Sequence, residues 1–164
     1  MKFLYVLTTI IIGIFIHVVF ARFFSFYGVS PQLLLLLVVT HGFLKGPLMG
    51  ETLGFCWGLM MDAMGVNFFG LQSLLFALAG YISGTLRRRV ASERPTAQLL
   101  IALITTLYYF IGMSLVAYLL DGYISSIPWV DILLAILFNV LLIMLVFWSV
   151  EKWIVIWKMD QEHN

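Results

Sequence analysis

Long apolar blocks separated by short polar or turn-forming breaks organise this chain, and each block approaches the length of a membrane-spanning helix. The first block runs from Phe3 to Ala21, and an aromatic-rich loop follows from Arg22. Ser30 as N-cap and Pro31 at the first helical position open the second, which passes through LLLLLVV and stops near Lys45, Gly46 and Pro47. A turn over Gly65 to Asn67 separates the third from the fourth. The polar stretch RRRVASERPTAQ, residues 87–98, precedes the fifth, and Asp121, Gly122 and the loop YISSIPWV precede the sixth. The pattern predicts helices over 3–21, 31–45, 48–64, 68–86, 97–120 and 131–157, in one domain covering 1–164. The fold class expected is all-α, a polytopic integral membrane protein of about six transmembrane helices. At 1.5 Å per residue the sixth block reaches about 40 Å, so its last two turns should leave the hydrocarbon. Blocks two and three are short. If they form one re-entrant hairpin or a single broken span, five spans result.

Composition restricts function. Hydrophobic residues make up 63% of the 164, charged residues 10%, and the mean hydropathy is +1.07, outside the range of soluble domains. Nothing is left over for a soluble domain, so chemistry that depends on a folded extramembrane site is excluded. The net charge of +1 is spread over loops and gives no reason to expect nucleic acid. The single cysteine, Cys56, lies within an apolar helix and offers no disulfide framework. The first block is read as an uncleaved helix, because it is longer than a signal-peptide core and Val19, Phe20 and Ala21 make a poor cleavage site.

Charge sets the expected orientation. With a cytoplasmic N-terminus, Lys2, Lys45, Arg87, Arg88, Arg89, Arg94, Lys152 and Lys158 all fall inside, leaving only Arg22 outside. Asp121 and Asp131 flank the last external loop. Both termini are therefore expected in the cytoplasm. Trp129 at the outer end and Trp148, Trp153 and Trp157 at the inner end suit interfacial belts.

The third block contains GETLGFCWGLMMD, with Gly50, Gly54, Gly58 and Asp62 four residues apart. Each interior glycine disfavours a helix by roughly 1 kcal/mol relative to alanine, so the repeat needs a compensating cause. Steps of four keep these positions on one slowly drifting side, a groove into which another backbone can settle. The fourth block carries a matching run of Ala77, Gly80 and Gly84, with Ser73 and Ser83 nearby. The helix in the groove belongs either to this chain, from the fourth or second block, or to a partner protein.

Asp62 is an acidic residue in a membrane segment and a functional candidate by default. It falls in the last turn of its helix, where the dipole disfavours a negative charge. Two partners are expected for it: Arg22, the only basic residue on that side, as an ion pair, or the turn at Gly65 to Asn67, which it would cap. His17, His41 and Asn139 are the other polar groups at depth. His41 lies on the opposite side from Asp62, so it reads as a hydrogen-bonded packing residue before a proton relay. Arg87, Arg88 and Arg89 read first as topology determinants and second as contacts for lipid head groups or an acidic partner.

No HExxH, paired metal-spaced histidines, GxSxG elbow or P-loop occurs, so no catalytic residue, metal or cofactor is expected. A transporter would place a small polar site among the helices, yet no doubled hydropathy pattern is visible.

The order and spacing of SPQLLLLLVV (30–39), GFCWGLMMDAMGVNFFGLQSL (54–74) and AGYISG (79–84) resemble the rod shape-determining protein MreD family. Pro31, Gly54, Phe55, Gly58, Asp62, Gly70 and Tyr81 hold the places of its proline-led helix and glycine-aspartate segment. The resemblance implies a non-enzymatic membrane subunit of the bacterial elongation machinery, working in lateral peptidoglycan synthesis. Its implied partners are MreC, MreB, RodA and the penicillin-binding transpeptidase of RodA. It further implies a fold like that of the substrate-binding subunits of energy-coupling-factor vitamin transporters, which leaves a small-molecule binding subunit as the alternative function. Gly50, Gly54, Gly58, Asp62, Ala77, Gly80 and Gly84 are the expected packing or partner interface.

Overall fold

The computed structural model describes residues 2–23, 32–65, 68–87, 95–121 and 129–162, and six helices account for nearly all of them. They are α1 (Lys2–Phe23), α2 (Leu33–Lys45), α3 (Pro47–Met64), α4 (Leu71–Leu86), α5 (Pro95–Asp121) and α6 (Trp129–Glu162). The chain is an all-α membrane protein. Three helices, α1, α5 and α6, are long and apolar enough to cross a bilayer, over Phe3–Phe20, Pro95–Leu120 and Trp129–Trp157. The other three are shorter or more polar.

Their burial explains the difference. A helix that is apolar on every side has no face for water and belongs at the centre of a bundle. α2 is such a helix: Leu35, Leu36, Val38, Val39 and Phe43 are fully enclosed, and α2 touches each of the other five helices. α3 and α4 pack on it and, most extensively, on each other. The outward faces of α1, α5 and α6 instead carry exposed Phe3, Phe15, Leu100, Ile111, Leu133 and Leu141. Apolar side chains pointing outward around a core with buried Thr, Ser, Asn and His are the arrangement expected when lipid is the solvent.

Local chemistry sets the breaks. α2 and α3 fold back on each other through one residue, Gly46, whose φ of 106° is open to glycine, and Pro47 starts α3 where its missing N–H is harmless. Pro95 starts α5 in the same way. The expected cap and start of the second helix, Ser30 and Pro31, lie outside the described residues. The fourth helix begins at Leu71, three residues later than the pattern predicts. Phe68 to Gly70 form a turn in which Gly70 takes a φ of 94° and Leu71 N–H donates to the Phe68 carbonyl at 3.2 Å. α6 runs on to Glu162, beyond the expected end.

Candidate functional site: the glycine seam and its Asp62 terminus

α3 and α4 meet backbone to backbone along the predicted small-residue stripe. A methyl group placed on Gly54 would stand 2.5 Å from the Phe76 carbonyl oxygen and 2.9 Å from the Ala77 nitrogen. On Gly58 it would meet the Gln72 carbonyl oxygen at 2.6 Å, and on Gly50 the Gly80 carbonyl oxygen at 2.5 Å. Gly84 continues the seam against Gly46 and Pro47. The same methyl on Gly50 would stand 2.6 Å from the α carbon of Gly42, so α2, α3 and α4 converge where Gly42, Gly50 and Gly80 meet. Gly54 and Gly58 are buried, and Ala77 is half-buried beside them. The stripe on α3 is therefore occupied by helices of this chain. Such close approach replaces the hydrophobic force that is missing between helices in lipid.

Asp62 closes the seam, a residue only 5% exposed. One oxygen accepts the Gln72 N–H at 2.9 Å; the other accepts the Ser73 N–H at 2.9 Å and the Ser73 hydroxyl at 2.6 Å. The helix that receives this cap has none of its own, because Gly70 at its N-cap position lacks a side chain. A carboxylate at an N-terminus also meets the positive end of the dipole. Asp62 thus leaves the unfavourable end of α3 and serves the favourable end of α4, ten residues onward.

The bonds described for Asp62 run to α4, not to Arg22. Arg22 is exposed at the end of α1, and no ion pair joins it to Asp62 among the described residues. The carboxylate caps α4; in the turn, the Gly65 N–H donates to the Met61 carbonyl at 2.9 Å, and Val66 and Asn67 lie outside the described residues. Desolvation accounts for this: a buried carboxylate is better satisfied by three short donors fixed on a helix end than by a guanidinium exposed at the surface. Arg87 is exposed at the end of α4; Arg88 and Arg89 lie outside the described residues.

Further polar contacts tie the remaining helices to this centre. Trp57 is fully buried, and its indole N–H donates to the Ile10 carbonyl at 3.1 Å, fastening α1 to α3. Asn139 on α6 donates to the Thr106 hydroxyl at 2.9 Å and accepts the Gln32 N–H at 3.1 Å, linking α6, α5 and the start of α2. Ser83 donates to the Val39 carbonyl at 3.0 Å between α4 and α2. Trp153, expected as an interfacial anchor, donates instead to Thr9 at 3.0 Å and joins α6 to α1. Gln72 and Trp57 had no distinguishing signal in the sequence; the absence of an N-cap side chain ahead of α4 was the one available clue to the Gln72 contact.

His41 is 1% exposed, and its Nδ1 bonds the Leu37 carbonyl at 2.8 Å, one turn back on its own helix. Its ring stands 6.4 Å from Tyr5 and 6.0 Å from Trp57. His17 is half-buried on α1. His41 also borders a cavity of about 160 Å³ between α1, α2, α3 and α6, lined mainly by Ile12, Ile16, Leu37, Trp57 and Val150. That volume is below the roughly 300–1,000 Å³ of small-molecule sites. Among the described residues no three His, Cys, Asp or Glu side chains gather as metal ligands.

The profile of the family described as rod shape-determining protein MreD matches residues 1–158. The chain belongs to the MreD family. Membership assigns it a role in determining rod shape, within a shape-determining structural family. The match covers α1 to α5 and α6 as far as residue 158 of this MreD-family chain, well beyond the segments that carried the resemblance in its sequence. No curated protein and no solved structure matches the chain significantly.

Proposed function

We propose that this MreD-family chain is a non-enzymatic scaffold of the bacterial cell-elongation machinery, in the cytoplasmic membrane with both termini inside. It supports lateral peptidoglycan synthesis by docking MreC, and with it MreB, RodA and the partner transpeptidase. The observation that carries this reading is where the packing surfaces have gone. The glycine stripe is consumed within α2, α3 and α4, so a partner helix needs another seat. A groove of about 510 Å³ beside α5 and α6, lined by Leu107, Phe110, Ile111, Ser114, Leu115 and Tyr118, offers one. Bulky walls around the Ser114 and Tyr118 hydroxyls suit a transmembrane helix, which gains by van der Waals contact and interhelical hydrogen bonding.

Filling the groove tests the assignment. Ser114→Trp should reduce the MreC recovered with the tagged chain by about ten-fold, with loss of rod shape, while the variant itself keeps its wild-type melting temperature. Wild-type recovery of MreC and normal rods from a correctly folded Ser114→Trp chain would remove this seat.

A further inference from the structure

A deeply buried acceptor at the centre of the bundle lacks a donor. His41 is 1% exposed, and its Nδ1 lies 2.8 Å from the Leu37 carbonyl. A carbonyl only accepts, so Nδ1 carries the ring proton, and Nε2 of the neutral imidazole is left as an acceptor with no partner among the described residues. Leaving such a group unpaired is costly. His41 stands in the wall of the cavity between α1, α2, α3 and α6, and the donors around that wall are already engaged. Trp57 donates to the Ile10 carbonyl at 3.1 Å, Trp153 to the Thr9 hydroxyl at 3.0 Å, Thr9 to the Tyr5 carbonyl at 2.6 Å and Ser149 to the Leu145 carbonyl at 2.8 Å. Tyr5, with its ring centroid 6.4 Å from that of His41, leaves its own hydroxyl unpartnered rather than bonding the imidazole.

The cavity limits what an occupant with the missing donor is. Its volume, about 160 Å³, is close to the ~150 Å³ of an apolar cavity that takes up a single benzene ring. The exposed members of its lining, Ile12 and Ile16 on α1 and Ser149 on α6, mark a mouth that opens toward lipid between these two helices. Access is from the bilayer. A lone water molecule needs about two to four polar partners, and beyond Nε2 it meets mainly carbon and groups already bonded. An acyl chain fills the space but brings no donor. A phenol meets both demands, with one ring for the volume and one O–H for the acceptor.

We infer that this cavity binds the head of a membrane lipid that carries a single phenolic ring, its O–H donating to His41 Nε2 and its tail leaving between α1 and α6. Only the head enters. A volume too small for a whole drug-sized ligand is therefore sufficient.

Fluorine NMR on the whole chain in lipid nanodiscs tests this, with para-fluorophenol as the probe, para-fluorotoluene as its isostere without an O–H, and empty nanodiscs to subtract partitioning. The phenol should bind at least about five-fold more tightly than the toluene. His41→Phe keeps a ring but loses the acceptor, and should bring the two probes level. Ser149→Trp, at the exposed mouth, should abolish binding of both. Para-octylphenol, its tail in the bilayer, should displace the probe from the unsubstituted chain. In that same chain the nitrogen resonance of His41 Nε2 should move on addition of phenol as a hydrogen bond forms, a readout that does not depend on any variant folding. Equal affinity for the two probes, a His41 resonance indifferent to phenol, or an Nε2 already bonded before phenol is added and released by Tyr5→Phe would overturn the inference. Failure of para-octylphenol to displace the probe would exclude a lipid as the source of the ring.

Discussion

Two antiparallel helix pairs in this chain solve the same problem differently. α3 and α4 meet through glycine and carbonyl groups, with a carboxylate of one helix capping the other. α5 and α6 are joined by a buried polar link, Asn139 to Thr106. Lipid offers little hydrophobic reward for helix association, so the first pair relies on closeness and the second on side-chain contact and one hydrogen bond. The comparison separates a closely packed unit, α2 with α3 and α4, from α1, α5 and α6 around it. The groove proposed as the partner's seat lies beside the second pair.

The sharpest way to break the contrast is to enlarge a glycine in each region. Gly54→Leu drives a side chain into the Phe76 backbone and should destabilise the fold by more than about 3 kcal/mol, visible as loss of the monodisperse species in detergent. Gly112→Ala on α5 meets only the tip of the Leu75 side chain, which can rotate away, and should cost less than about 1 kcal/mol in the same thermal melt. Comparable losses in the two variants would mean that the seam is no tighter than the exterior.

Next in size comes the cap. Asp62→Ala leaves the Gln72 and Ser73 N–H groups buried without an acceptor, and should lower stability by about 2–3 kcal/mol with faster amide exchange at the start of α4. Arg22→Gln should leave both measurements unchanged, since Arg22 has no bond to the carboxylate. An effect smaller than that of the cap is expected on the exterior pair: Asn139→Leu removes the bonds to Thr106 and Gln32, and should cost about 1 kcal/mol by the same melt. A loss larger than that of Asp62→Ala would reverse the ranking of the two regions.

Much of this architecture was legible in the order of residues. Apolar blocks of helical length, Pro47 and Pro95 at helix starts, and four-residue spacing of Gly50, Gly54 and Gly58 are local signals, because bilayer thickness and helix pitch act on any such segment alone. The same local logic singled out Asp62 as a residue in need of a partner. What the order of residues could not decide was which groups come within 3 Å of one another. The tertiary structure gave the glycine stripe to α4, turned Asp62 from Arg22 to the Gln72 and Ser73 N–H groups, and placed α2 at the centre. Those outcomes depend on helix rotation and on the full set of donors competing for one buried carboxylate, and both exist only once all six helices are assembled.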